Sequence, residues 1–361
     1  MAEGSASTTV VVDGAALERH CAALLEASGV PAEESAMTAA VFAQAELVGE
    51  PSHGVRLLLV VLDRIAAGGD RAVADIEVVR DRGAIAVWDA RRSLGQVTAT
   101  RAMDTAIDKA RTAGIGMVAV RDGNSLTSAK FYALRAAEAG CIGLVHTNAS
   151  RKVMPPPGGR TAVMGNNPVA VAAPAGRHGV FVLDMACTAV AIERIVAARD
   201  AGEAIPKGWA LDGEGNETTD PAAALHAMAL LPFGGYKAFG LALVNEMLTS
   251  VLAGGAVFAG GSTGFRPLDG PMNTSFTLSA IDIAAFDDPV AFAGRMEAMI
   301  DGLKASEPRE PGAEILFPGE RALRERDRRR AEGVPLAAST AEGLAERARR
   351  LGVPALGPAG A

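Results

Sequence analysis

The chain has 361 residues, 49% apolar and 21% charged, with 35 Lys and Arg against 42 Asp and Glu and five His, for a formal net charge of −7. At roughly 150 residues per domain this length holds two to three compact units, and the composition excludes the disordered and fibrous classes. A mildly acidic surface does not gather phosphate backbones, so nucleic acid is not an expected partner.

The start, MAEGSASTTVVVD, has neither the basic region nor the apolar length of an export signal and reads as a frayed leader before the first helix. From Asp13 to about Gly68 apolar residues recur at helical spacing, with Leu17, Cys21, Leu24 and Leu25 on one face, followed by a stretch from Pro31 to Val48. IEVV and IAVW, between Ile76 and Asp89, form a predicted hairpin. A helix over about 97–113, a strand at 117–120 (MVAV), a helix over about 130–139 and a strand at 142–146 (IGLVH) follow, an α/β alternation. The stretches 154–159 (MPPPGG) and 205–221 are too rich in Pro, Gly and polar residues for regular elements, and read as ordered loops or linkers. A helix over about 239–252 precedes a strand at 274–281, and the last fifty residues are helical and charged. The most apolar long stretch, from Leu241, is broken by Asn245, Glu246 and several Gly, so no membrane span is expected.

The familiar nucleotide signatures are missing. GIGMVA at 114–119 lies before a strand rather than after one, and Lys237 in GGYKAFG is followed by Ala238 where a phosphate loop needs Ser or Thr. The five His are scattered, and Cys21, Cys141 and Cys187 stand far apart in apolar or helical contexts; this fits reduced thiols in a reducing compartment and no metal site. His53, in PSHGVR, is placed where a side chain can face a cleft, although a lone His is often structural. Asp184 ends the apolar run VFVLD, where a carboxylate serves equally as a functional group or a helix cap.

Several segments in order carry a resemblance: SHGV at 52–55, IGLVHTN at 142–148, VMPPPGG at 153–159, MGNNP at 164–168, VLDMA at 182–186, LLPFGGYKAFGLAL at 230–243 and ILFPGE at 315–320. Over nearly its whole length the chain resembles the malate/L-lactate dehydrogenases that lack the Rossmann fold, a group including diketogulonate, ureidoglycolate and cyclic-imine carboxylate reductases. The resemblance implies an α/β fold with a largely antiparallel sheet nucleotide domain, flanked by helices from both chain ends. The expected division is 1–72 packing with 300–361, around a nucleotide and substrate region at 73–299. It also implies NAD(H) or NADP(H) as hydride carrier, a small-molecule substrate and a homodimer; the lack of an export signal or membrane span separately points to a cytoplasmic location.

Carried over by position, His53 corresponds to the proton donor, and Asp184 becomes a partner holding its imidazole. Cofactor contacts fall on Val180, Phe181, Val182, Leu183, Asp184, Met185 and Ala186, on Tyr236 and Lys237, and on Gly319, Glu320 and Arg321. Asn148 and Asn167 stand in loops that the family turns toward the same cleft, and each also suits a turn.

The substrate side departs from the pattern. Four residues beyond His53 the family places an Arg, and here Leu57 stands, while Arg64 and Ile65 keep the register. A carboxylate clamp lost from a buried site costs about 2–5 kcal/mol, roughly 30-fold to several thousandfold. On a continuous helix residue 57 lies about 40° to one side of His53 and residue 56 about 60° to the other, so Arg56 is a candidate replacement. At the family's Asn-x-x-His element the His position is Ser125, which hydrogen-bonds but cannot carry a proton as imidazole does, a difference of about 10² to 10⁴. Pro51, Ala238 and Ile192-Glu193-Arg194 also depart. The expected activity is therefore an NAD(P)H-dependent reductase acting on a carbonyl or imine of a specialised metabolite through an altered pocket. The alternatives are a non-redox biosynthetic step on bound dinucleotide, or a non-catalytic partner protein.

Overall fold

The computed structural model describes residues 9–262 and 264–358. Strand β1 (Thr9–Val12) leads into helices α1 (Gly14–Ala27), α2 (Ala32–Leu47) and α3 (Val55–Ala67), with a 3-10 turn at Pro51–His53 before the last. Then come β2 (Glu77–Arg82), β3 (Ile85–Asp89), α4 (Gly95–Ala113), β4 (Ile115–Gly123), α5 (Ala129–Glu138), β5 (Cys141–Thr147), β6 (Val169–Pro174) and β7 (Val180–Met185). Next are α6 (Ile192–Ala201), β8 (Ala210–Leu211), α7 (Pro221–Ala227), β9 (Ala229–Leu230) and α8 (Tyr236–Glu246), which runs into a π turn at Met247–Val251. The chain finishes with β10 (Thr274–Asp282), α9 (Pro289–Lys304), α10 (Glu320–Glu332), β11 (Val334–Ala337) and α11 (Ala338–Leu351).

Seven strands form the main sheet in the order β2-β3-β4-β10-β5-β6-β7, in which only the β3–β4 pair is parallel. Helices α4 and α5 cover it, burying Ala102, Met103, Ala106, Tyr132, Ala133 and Ala136 against Val118, Val145, Ala170, Val182, Phe276 and Leu278. The Ala-rich faces of these helices allow close approach: a β-carbon on Gly143 would lie 2.5 Å from the Ala133 carbonyl oxygen. A second core is helical. It joins Leu17, Leu24, Phe42, Leu58 and Leu62 to Val334, Leu336, Leu344 and Ala348, so the chain ends pack together.

Within the expected leader, residues 9–12 are a strand: β1 pairs antiparallel with β11, from Thr9↔Ala337 to Val12↔Val334, and its alternate side chain Val12 is buried. The rest of the leader lies outside the described residues. The C-terminal stretch is correspondingly not all helix, because β11 separates α10 from α11. The loop at 205–221 is ordered and carries β8, which pairs with β9, and MPPPGG is pinned by the Met154–Met164 bridge. No helix among the described residues is long and apolar enough to cross a membrane. All three Cys are free and buried.

Arg64 ties α3 to the loop that follows β4 and to the segment before β10. Fully buried, it donates from Nε to Asp70 at 2.7 Å, and its terminal nitrogens reach the carbonyls of Gly270, Phe265 and Pro267 and the side chain of Asn124.

Candidate active site

Strand β7 closes one edge of the sheet, and its residues alternate between faces. Val182 points into the core beneath α5, so Asp184, two residues on, projects toward the same helix. Ser128, at the N-cap of α5, makes no side-chain capping bond, leaving that turn's amides without a local acceptor. Asp184 supplies one: its Oδ2 accepts from the Lys130 backbone N–H at 3.0 Å. The capping role left open by the sequence is thus filled on a helix more than fifty residues away in the chain, where the helix dipole favours a carboxylate.

His53 sits on the 3-10 turn that joins α2 to α3. Its backbone N–H donates to the Glu50 carbonyl at 2.9 Å, and Ser52 Oγ lies 3.0 Å from its Nδ1. The turn is held from below by Glu46, a buried carboxylate on α2 whose Oε1 accepts from the Val55 N–H at 3.0 Å, capping α3. Glycine is required between them, since a β-carbon on Gly54 would lie 2.0 Å from that same oxygen. Burial pushes the Glu46 carboxyl above the usual range, opposed by the Val55 N–H and by Arg329 and Arg56.

The two elements meet through Lys130, whose Nζ forms an ion pair with Glu50. Asp184 is the centre of the cluster. Burial raises its pKa; the Lys130 ammonium and backbone N–H oppose that shift, Glu50 adds to it, and His53 works against it. The Asp184 carboxylate accepts from Lys130 and the His53 ring bonds to Ser52, so Asp184 and His53 communicate by charge.

The altered positions are also placed. Helix α3 begins only at Val55, so the helical wheel does not run through His53, and Leu57 packs against the helical core. Arg56 is exposed and lies 3.9 Å from Glu193 on α6. Ser125 Oγ accepts from the Thr127 N–H at 3.2 Å, and Gln96 holds the same loop through the Ser125 carbonyl.

The expected cofactor segments converge on β7. The Val182 N–H donates to the Pro318 carbonyl at 3.1 Å, and Gly319, at φ 95°, presses so close that a β-carbon would lie 2.4 Å from Val182 Cγ1. Beyond the other end of the strand, Thr188 bridges Pro232, which brings Tyr236 and Lys237, both exposed, to the start of α8. The N-termini of α8, after Gly235, and of α10, after Gly319, lack side-chain caps. Arg321 is exposed, whereas Glu320 is taken by Lys304 at 2.7 Å. Asn148 and Asn167 are buried with both amide ends committed: Asn148 links the Ser275 N–H to Ser250, and Asn167 links the Ala149 N–H to Ala242 and Glu246. These bonds fix the orientation of both amides inside the protein.

Lys130, Glu50, Ser52 and Glu46 join this cluster in addition to the residues expected from the sequence. Ser52 lay inside a quoted motif, and Glu46 stood out as an acid within the apolar run VFAQAELV. Lys130 had no local signal.

The fold and the sequence have clear relatives. Residues 12–345 match the malate/L-lactate dehydrogenase family. A malate dehydrogenase from Pyrococcus abyssi is 36% identical over 91% of either chain. A (2R)-3-sulfolactate dehydrogenase (NADP(+)) from Chromohalobacter salexigens is 34% identical over 88% of this chain and 92% of its own. The solved structure of sulfolactate dehydrogenase from Methanocaldococcus jannaschii superposes with a TM-score of 0.88 at 34% identity, covering 95% of this chain and 98% of that one. Fold and sequence together thus define a dinucleotide-dependent oxidoreductase without the Rossmann motif. The chain belongs to the malate/L-lactate dehydrogenase family and is an NAD(P)-dependent dehydrogenase or reductase. The non-redox alternative has no support among these relatives.

Proposed function

We propose that the protein uses NADH or NADPH to reduce a carbonyl or imine of a small specialised metabolite, with His53 as proton donor. The observation that carries this is the assembly of His53, Asp184 and Lys130 against β7, the strand that also bears the expected cofactor segment. Relatives named for malate and sulfolactate act on acids, and Leu57 removes the cation expected on α3, so the acceptor is held differently here.

As the imidazolium that serves as the acid, His53 donates from Nδ1 to the Ser52 hydroxyl oxygen, 3.0 Å away, and carries its transferable proton on Nε2, so that giving it up leaves the neutral ring. From Nε2 that proton passes to the oxygen or nitrogen of the acceptor as negative charge develops there. Asp184, through its charge, stabilises the arrangement and keeps the start of α5 in place. Val180–Ala186, Tyr236, Lys237 and Gly319–Arg321 would hold the dinucleotide, Lys237 and the two helix N-termini facing its phosphates. When bound, the nicotinamide supplies the hydride.

The test is titration with NADH and NADPH by nicotinamide fluorescence, then loss of the reduced-nicotinamide absorbance with 2-oxo acids and cyclic imines. His53→Ala is expected to keep cofactor binding and lose about 10² to 10⁴ in turnover. Wild-type turnover in that variant would overturn the assignment. The active unit is a homodimer, a reading supported by an apolar stripe on α8 and its π turn: Leu243, Val244, Met247, Val251 and Leu252 are each 42–56% exposed.

A further inference from the structure

The cation expected on α3 is absent, and another, on α5, pairs with a residue of the chain just before His53. Leu57 is packed into the helical core, Arg56 is exposed and turned toward Glu193, and the Ser125 hydroxyl is spent on its own loop. Lys130 comes from the opposite side, on the first turn of α5. Its position is fixed twice: the backbone N–H is held by Asp184, and Nζ by Glu50, three residues before His53 on the same turn. The Lys130 side chain is only 9% exposed and that of Glu50 34%, so the ammonium lies beneath a carboxylate that reaches solvent. An ammonium has three donors, and Glu50 is the one hydrogen-bond partner of Nζ among the described residues. A buried ammonium is stable only while paired, so removing Glu50 from it favours any other anion that reaches it.

We propose that Lys130 is the specificity-determining residue that binds the carboxylate of the acceptor, with Glu50 as its resting counter-ion, displaced when substrate enters. This rests on the reductase reading above and narrows it to 2-oxo or 2-imino acids held from α5 rather than from α3. Glu50 then swings toward solvent, and the carboxylate on Lys130 lies beside His53, whose proton goes to the neighbouring oxygen or nitrogen.

The experiment uses the full chain loaded with NADH or NADPH, and oxalate as the probe, an unreactive dianion with the spacing of a 2-oxo acid. Oxalate affinity is measured by calorimetry for wild type, Lys130→Met, Lys130→Arg and Glu50→Gln, with cofactor affinity measured on each variant. Lys130→Met is expected to weaken oxalate by at least 30-fold, Lys130→Arg to restore part of the loss, and Glu50→Gln to tighten oxalate several-fold by removing the competing carboxylate. Opposite signs for the two partners are the signature, because a merely structural ion pair weakens the site from either side. Equal oxalate affinity in wild type and Lys130→Met, or weakening by Glu50→Gln as well, overturns the proposal. Should Lys130→Met fail to fold, the sign of Glu50→Gln decides. A wild-type protein that binds NADH or NADPH but not oxalate overturns this inference and leaves the reductase reading standing; one that binds neither nucleotide overturns both.

Discussion

Replacing Arg64 by Met tests the packing that connects α3 to the site. The guanidinium is fully buried and ion-paired to Asp70, itself 4% exposed, and it also reaches three backbone carbonyls and Asn124, the neighbour of Ser125. Removing one partner of a buried pair costs about 3–5 kcal/mol, since the other charge is left without compensation. For 361 residues the unfolding entropy is about 0.76 kcal/mol/K, so the melting temperature falls by about 4–7 °C. The deficit has a pH signature. Burial pushes the Asp70 carboxyl up to about 6, against the pull of Arg64 and Arg92. A carboxyl with its folded pKa raised contributes fully below its unfolded value of about 3.9, and that contribution is lost as pH rises through the folded value. Without Arg64 the folded value moves higher still, so the variant goes on losing stability above the pH at which wild type has levelled off. Urea unfolding followed by circular dichroism at about pH 5 and about pH 8 is expected to give the larger deficit at the higher pH. A loss below about 1 kcal/mol at both, or one that shrinks as pH rises, refutes the reasoning.

Asp184→Ala removes the acceptor for the Lys130 N–H and is expected to cost about 1 kcal/mol in urea unfolding, whereas Asp184→Asn keeps the acceptor, holds stability and loses turnover. Gly319→Ala places a β-carbon against Val182 at φ 95° and is expected to weaken NADH binding while His53-dependent proton transfer is untouched, read as a raised KM for the nucleotide with little change in kcat. Met247→Glu buries a charge in the apolar stripe of the proposed dimer and is expected to give a monomer by light scattering; an unchanged mass refutes that interface.

Much of the fold was legible because its elements carry local signals. The period of Leu17, Cys21, Leu24 and Leu25, the cap at Asp13 and the β-branched runs of β4 and β5 act within a few residues. Strand β6, VAVAAP, was not marked: Ala has little strand preference, and only pairing with β5 and β7 makes the segment a strand. β1 was read as fraying because its partner β11 lies more than three hundred residues away. Helix α9 carried its start signal, Asp288 followed by Pro289, yet that signal was passed over. In the proposed site, motifs point to His53 and Asp184, but the joining residue, Lys130, acts through its own backbone and through Glu50 eighty positions away. No window along the chain contains that relation. The helical wheel drawn through His53 failed for a related reason, since Glu46, on the previous helix, decides that α3 starts at Val55.

Glu46 and Gly54 occupy one volume between them, the carboxylate of the first filling the space that a side chain on the second would need. Two positions that share a volume are constrained together, since neither can be enlarged alone. In a lineage that lengthens residue 54, residue 46 must shorten first, and the intermediate then loses the acceptor for the Val55 amide. The route away from glycine therefore runs through a protein whose histidine turn is unsupported, a barrier set by packing and separate from any role of Gly54 toward substrate.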